Sequence, residues 1–87
     1  MKVLPVDDGH VAYCLGCEQS HLIPLNWQFN GDRDNPTFTP SLLIRYYHEP
    51  RKRDYICHSF ITNGKWKYCG DSTHELAGQT VDMEDCD

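Results

Sequence analysis

Short alternating runs of apolar and polar residues, broken every few positions by turn-forming residues, dominate this chain, and only one short stretch reads as helix. Residues 42–47 alternate cleanly: Leu42, Ile44 and Tyr46 fall on one side and Leu43, Arg45 and Tyr47 on the other, the pattern of a strand. Residues 55–62 and 65–70 flank Asn63-Gly64, a pair that accepts the positive φ values of a tight hairpin turn. A two-residue turn there sets Thr62 opposite Lys65, Ile61 opposite Trp66, Ser59 opposite Tyr68 and Cys57 opposite Gly70, with an aromatic cross-strand face directed into the core. Shorter strands are expected at 11–13, at 21–24 and at 27–29, the last ending at Asn30-Gly31-Asp32.

Two prolines four positions apart mark Asn35-Pro36-Thr37-Phe38-Thr39-Pro40-Ser41. Each fixes its own φ and drives the preceding residue toward extended conformation, so an extended edge or covering loop is expected there, not a central strand. The helical candidate is Asp71-Ser72-Thr73-His74-Glu75-Leu76-Ala77-Gly78, where Ser72 and Glu75 stand in capping-box spacing and Gly78 ends the turn. Residues 79–83 add a last strand, and 84–87 form an acidic tail expected to fray. The expected fold is therefore a small, mostly β (α+β) single domain over residues 1–87, with ribbon-like antiparallel hairpins and one short helix.

A chain of this size supplies roughly 3–5 kcal/mol from its core, whereas one structural zinc contributes an apparent ~10–16 kcal/mol at neutral pH. The cysteines point to that metal. Their number, five, is odd, which argues against a fully paired disulfide framework. Cys14-Leu15-Gly16-Cys17 is half of a zinc site; a redox motif would precede a long helix, yet 18–27 contains Pro24 and has no helical repeat. One zinc per chain is expected on Cys14, Cys17 and Cys57. For the fourth ligand His74 ranks first, because the hairpin register carries it toward Cys57. His58 ranks second, since neighbouring strand residues point to opposite faces, and His21 third, since it reaches the metal only if the chain doubles back. Each histidine can instead be a hydrogen-bonding residue of the core. Cys69 and Cys86 are free thiols, with Cys69 the nearer to the metal.

Thirteen acidic residues against eight basic ones give a net charge of -5, which argues against nucleic acid as partner. Arg51-Lys52-Arg53 is a solvated loop tip within 48–54. No continuous apolar run exceeds residues 11–15, so neither a membrane span nor a signal-peptide core is expected, and the localisation is cytoplasmic, the host cytoplasm if phage-encoded.

Four blocks in order carry a resemblance: Cys14-Leu15-Gly16-Cys17 with His21; Trp27 followed by Asn35-Pro36-Thr37-Phe38-Thr39-Pro40-Ser41; Cys57-His58-Ser59-Phe60-Ile61 with Gly64; and Asp71-Ser72-Thr73-His74-Glu75-Leu76-Ala77-Gly78-Gln79-Thr80-Val81. Together they resemble a family of small bacterial and phage proteins of unknown function, some labelled "ammonia monooxygenase" and some found beside bacterial ubiquitin-like conjugation genes. The resemblance spans nearly the whole chain. It implies a metal-binding protein of bacterial or phage cytoplasmic origin and carries over Cys14, Cys17, Cys57, His58 and His74. Ser72 stands where a cysteine can occur, which keeps the zinc count nearer one than two.

Two function classes follow. The favoured one is a zinc-stabilised protein-interaction module, a phage product that binds and modulates a host protein complex such as a defence system. Its candidate contact residues are Tyr46, Tyr47 and Arg51, aromatic and arginine anchors near one strand end. The alternative is a zinc-dependent hydrolase in which three protein ligands leave the metal open to water and His58, His21 or Asp71 serves as general base. Against it, three thiolates donate so much charge that bound water is poorly acidified, and no H-E-x-x-H or deaminase pattern is present.

Overall fold

In a computed structural model that describes residues 1–86, the alternation becomes eight strands: β1 (Leu4–Val6), β2 (Gly9–Cys14), β3 (Gln19–Pro24), β4 (Gln28–Phe29), β5 (Phe38–His48), β6 (Arg53–Thr62), β7 (Lys65–Tyr68) and β8 (Thr80–Asp82). They form two antiparallel sheets, one of three strands in the order β1-β2-β3 and one of five in the order β4-β5-β6-β7-β8. The mostly β expectation holds. The Asn63-Gly64 turn takes positive φ at both residues, 49° and 74°, and β6 meets β7 in the counted register: Thr62 opposite Lys65, Ile61 opposite Trp66, Ser59 opposite Tyr68.

The core unites the two sheets. Val3, Ala12, Cys14 and Ile23 come from the first sheet and its approach, and Phe38, Leu42, Cys57, Ile61, Trp66 and Tyr68 from the second. Trp66 is fully buried, and its indole N–H donates to the Tyr13 carbonyl 3.2 Å away, so the largest apolar group also has its polar atom satisfied. Along β5 and β6 the alternation separates two faces. Leu42 is 6% exposed and its neighbour Leu43 56%. Cys57, Ser59 and Ile61 are buried on the inner face, whereas Phe60 is exposed on the outer one.

Of the proline-bearing segment, residues 38–41 are the extended start of β5, while Asn35, Pro36 and Thr37 precede it outside any strand. Phe38 pairs with Ile61 and Leu42 with Ser59, so four steps along β5 match two along β6. The extra residues form a bulge at Thr39, Pro40 and Ser41, containing the cis Thr39–Pro40 peptide. A bulge re-aims the side chains within it, which is how Pro40 and a strand coexist here.

Residues 71–78 form turns, not the expected helix. Ser72 does not cap; its hydroxyl accepts from the His58 N–H and donates to the His58 carbonyl, both at 3.0 Å. Thr73 serves Ile56 in the same way, Oγ1 accepting the Ile56 N–H at 3.0 Å while the Thr73 N–H donates to the Ile56 carbonyl at 2.8 Å. Side chains that complete the edge of β6 are not free to cap a helix. The helical turn that does occur is the 3-10 turn Glu49–Arg51, between β5 and β6. At the C-terminus, the Cys86 N–H donates to the Met1 carbonyl at 2.7 Å, which ties down the tail expected to fray; Asp87 lies outside the described residues. Among the described residues, no helix is long and apolar enough to cross a membrane.

Candidate functional site

The β2–β3 connection is a knuckle. Glu18 takes φ 54° and donates its N–H to the Cys14 carbonyl at 2.8 Å, while the Cys17 N–H points at the Cys14 sulfur, 3.4 Å away. This turn folds Cys17 back over Cys14, and β3 returns with His21 opposite Ala12. Cys57 approaches from the inner face of β6. The ligand atoms of Cys14, Cys17, His21 and Cys57 all lie within 4.8 Å of one another. The sulfurs of Cys14 and Cys57 are 3.7 Å apart. A tetrahedral zinc with Zn–S bonds of ~2.3 Å separates its sulfurs by about 3.8 Å. His21 Nε2 is buried without a hydrogen-bond partner, the condition of a ring nitrogen shaped to meet a metal. The cluster therefore fits one tetrahedral ion with no position left open.

Its electrostatics agree. Without a cation the crowded thiols cannot all ionise: hydrogen bonds from Cys17 and Cys57 hold the Cys14 pKa far below the usual thiol range. Cys57 is pushed far up, first by its hydrogen bonds with Cys14 and Cys17 and then by burial. Burial works to lower the pKa of His21, yet its contacts with Cys14 and Cys17 raise it to about 9. A divalent cation held by these four residues would replace the shared protons and neutralise that charge in place.

The geometry gathers His21, not His74, with the thiols. The doubling back that a C-x-x-x-H histidine needs is supplied by the β2–β3 hairpin. His74 packs beside the knuckle: its Nδ1 accepts the Leu76 N–H at 3.2 Å, its ring meets Tyr68 edge-on at 4.6 Å, and its Nε2 is buried without a partner. Gly16 makes room for it, since a Cβ there would lie 2.4 Å from the imidazole. Tyr68 completes the packing by bonding the Cys14 sulfur at 3.2 Å and accepting the Gly16 N–H at 3.1 Å.

A second constellation occupies the opposite face. His58 follows Cys57 on β6 and points outward, where Nε2 meets Ser41 Oγ at 3.1 Å and Nδ1 meets both carboxylate oxygens of Asp71 at 3.2 Å. A hydroxyl, an imidazole and a carboxylate are thus linked in the order that acyl transfer by a serine nucleophile requires. Ser41 is presented by the β5 bulge. Asp71 is positioned by its neighbour Ser72, whose hydroxyl is fastened to the His58 backbone. His58 is 27% and Asp71 58% exposed, so the group is open to a substrate. Cys69, expected nearer the metal, instead stands with His58 and Asp71, within 4.8 Å.

Sequence reasoning brought out His58 and Asp71 as general-base candidates but missed Ser41. The available signal was its position directly after the second proline of an irregular strand entry, where bulges re-aim side chains. The residues proposed for partner contact, Tyr46, Tyr47 and Arg51, lie at the far end of β5 and in the turn beyond it. Tyr46 and Tyr47 are 42% and 54% exposed, and Tyr46 stacks on Tyr55 at 5.1 Å. Tyr46 and Arg51 border a cavity of about 720 Å³ that reaches Cys17 and His74.

Residues 3–69 match the family described as bacterial ubiquitination-like system serine protease (BubE). The matched stretch contains Ser41, His58 and the four clustered Cys and His residues, and ends two positions before Asp71. Comparison with curated proteins and with solved structures gave no match.

Proposed function

We propose that the chain, which belongs to the bacterial ubiquitination-like system serine protease family, cleaves an acyl bond of a protein in such a system, with Ser41 as nucleophile, His58 as general base and Asp71 as the orienting carboxylate. The observation that carries this reading is the bridging of Ser41 Oγ and Asp71 by the two ring nitrogens of His58. Asp71 accepts the Nδ1–H and so fixes the tautomer whose Nε2 lone pair faces the serine. Ser41 Oγ attacks the substrate carbonyl carbon as its proton passes to Nε2. The imidazolium, stabilised by Asp71, then protonates the leaving amine as the C–N bond breaks. Water attacks the acyl-serine ester, again giving its proton to His58, which returns it to Ser41 as the acid product departs.

The metal in this reading is structural. Cys14, Cys17, His21 and Cys57 would hold a zinc that ties the knuckle to the inner face of β6 and so fixes the strand that carries His58. Cys57 and His58 point to opposite faces, and the closed donor set offers no place for substrate, so hydrolysis runs on the serine and not on metal-bound water. The protein partner expected from the exposed aromatic residues is the substrate itself.

A fluorophosphonate probe tests the assignment. Wild-type protein is expected to gain one adduct on Ser41, seen by peptide mass spectrometry, and Ser41→Ala and His58→Ala to gain none with zinc content and melting temperature unchanged. Labelling that persists in Ser41→Ala, or a wild-type protein inert to probe and substrate, overturns it.

A further inference from the structure

The hydrogen-bond pattern of β6 decides which way the backbone of β5 faces. Ile56 and His58 direct their N–H and C=O groups to the 69–73 segment: Cys69 N–H donates to His58 at 2.8 Å, Thr73 N–H to Ile56 at 2.8 Å, and the Ser72 and Thr73 hydroxyls accept the two amide protons. Backbone groups alternate along a strand, so Tyr55, Cys57 and Ser59 turn theirs toward β5. Their register partners Tyr46, Ile44 and Leu42 consequently face β6. Leu43, Arg45 and Tyr47 are left with their N–H and C=O directed to the opposite edge.

That edge carries no neighbour over this stretch. β4 takes it up only at Phe38 and Thr39, and among the described residues no strand pairs with it from Leu43 to His48. A long unpaired edge is a liability that folded proteins cover, charge or use. Here it leads directly to Ser41, and β4 closes it just beyond, at Thr39. From Ser41 to Tyr47 it extends about 20 Å, room for roughly six residues of an added strand.

We propose that the substrate binds as an extended segment added to this edge, antiparallel to β5, entering beside Tyr47 and delivering its scissile carbonyl to Ser41. The proposal deepens the serine-protease reading and rests on it. Recognition then lies on the N-terminal side of the cleaved bond, because β4 occupies the edge past the nucleophile. Main-chain pairing with Leu43, Arg45 and Tyr47 supplies affinity, as in other cases of strand addition. Alternate substrate side chains lie beside the exposed Leu43 and Tyr47, which favours a flexible tail with apolar residues at every second position. A tightly folded loop cannot supply such a strand.

The test uses p-nitrophenyl acetate, which reads the triad alone, and libraries of coumarin amides with two or six residues before the scissile bond. Wild-type kcat/KM is expected to rise about tenfold or more from dipeptide to hexapeptide, the scale of one or two added main-chain hydrogen bonds. Arg45→Pro, which removes an edge N–H where proline is tolerated, loses that increment while ester hydrolysis persists; Arg45→Ala, which keeps the N–H, retains it. Independently, adding the hexapeptide library to Ser41→Ala slows amide exchange at Leu43, Arg45 and Tyr47. Equal rates for short and long substrates, or unchanged exchange at those three amides, overturns the proposal even if the ester is hydrolysed. Exchange protection without hydrolysis of any substrate leaves the edge site standing and removes the serine-protease reading instead.

Discussion

Cys57 and His58 are adjacent in the chain and belong to different machines. Cys57 is fully buried on the inner face of β6 among thiols and the core; His58 points outward to Ser41 and Asp71. One strand thus separates two clusters by its two-residue period, and on the proposed reading stability lies on one face and chemistry on the other. The inner face is closed, and its four donor atoms lie within 4.8 Å of one another, as a tetrahedral ion would need. The outer face is open, held by hydrogen bonds and reachable by substrate. Such a division would let a chain too small for a large core keep the proposed serine site without weakening the part that holds it together.

The comparison breaks most severely on the inner side. Cys57→Ser, or chelation of the metal, is expected to abolish the cooperative melt, because the loss of an apparent ~10–16 kcal/mol exceeds what the core supplies. Near-UV circular dichroism and a thermal scan after verified metal removal check this, and an unchanged melt contradicts it. On the outer side, Ser41→Ala and His58→Ala should each lower kcat by about ten-thousand-fold or more, and Asp71→Asn by a comparable factor through the wrong imidazole tautomer, with melting unchanged. Loss of zinc from any of these three variants would show that the faces are not separate.

The histidines sharpen the same comparison. His21→Ala is expected to behave as the cysteine variants do, with zinc content dropping on native mass spectrometry. His74→Ala should keep the metal and cost only ~1–3 kcal/mol, the scale of a lost buried polar contact and ring packing. The reverse outcome would place His74 in the metal site. The smallest effect is expected from Thr73→Val, which removes both side-chain bonds to Ile56 but keeps the backbone one; a loss of about 1 kcal/mol in denaturant unfolding, with activity retained, is the measure of that clasp.

Local signals determined much of this. Asn63-Gly64 specified its turn and, by counting, the register of β6 on β7, because a two-residue turn leaves no freedom in the pairing beyond it. The alternation at 42–47 separated the faces of β5, and the C-x-x-C spacing marked two metal donors whose approach needs only a local knuckle. The opposite orientation of neighbouring Cys57 and His58 was legible from strand period alone. Other features depended on contacts between distant segments. Ser72 and Thr73 look like helix-cap residues until the edge of β6 competes for their hydroxyls. His21 joins the thiols only because the β2–β3 hairpin returns beside Cys57, a meeting of two sheets that no spacing encodes. Ser41 reaches His58 through a bulge that shifts register by two residues, and so its meeting with His58 depends on how the strands on either side of that bulge pair.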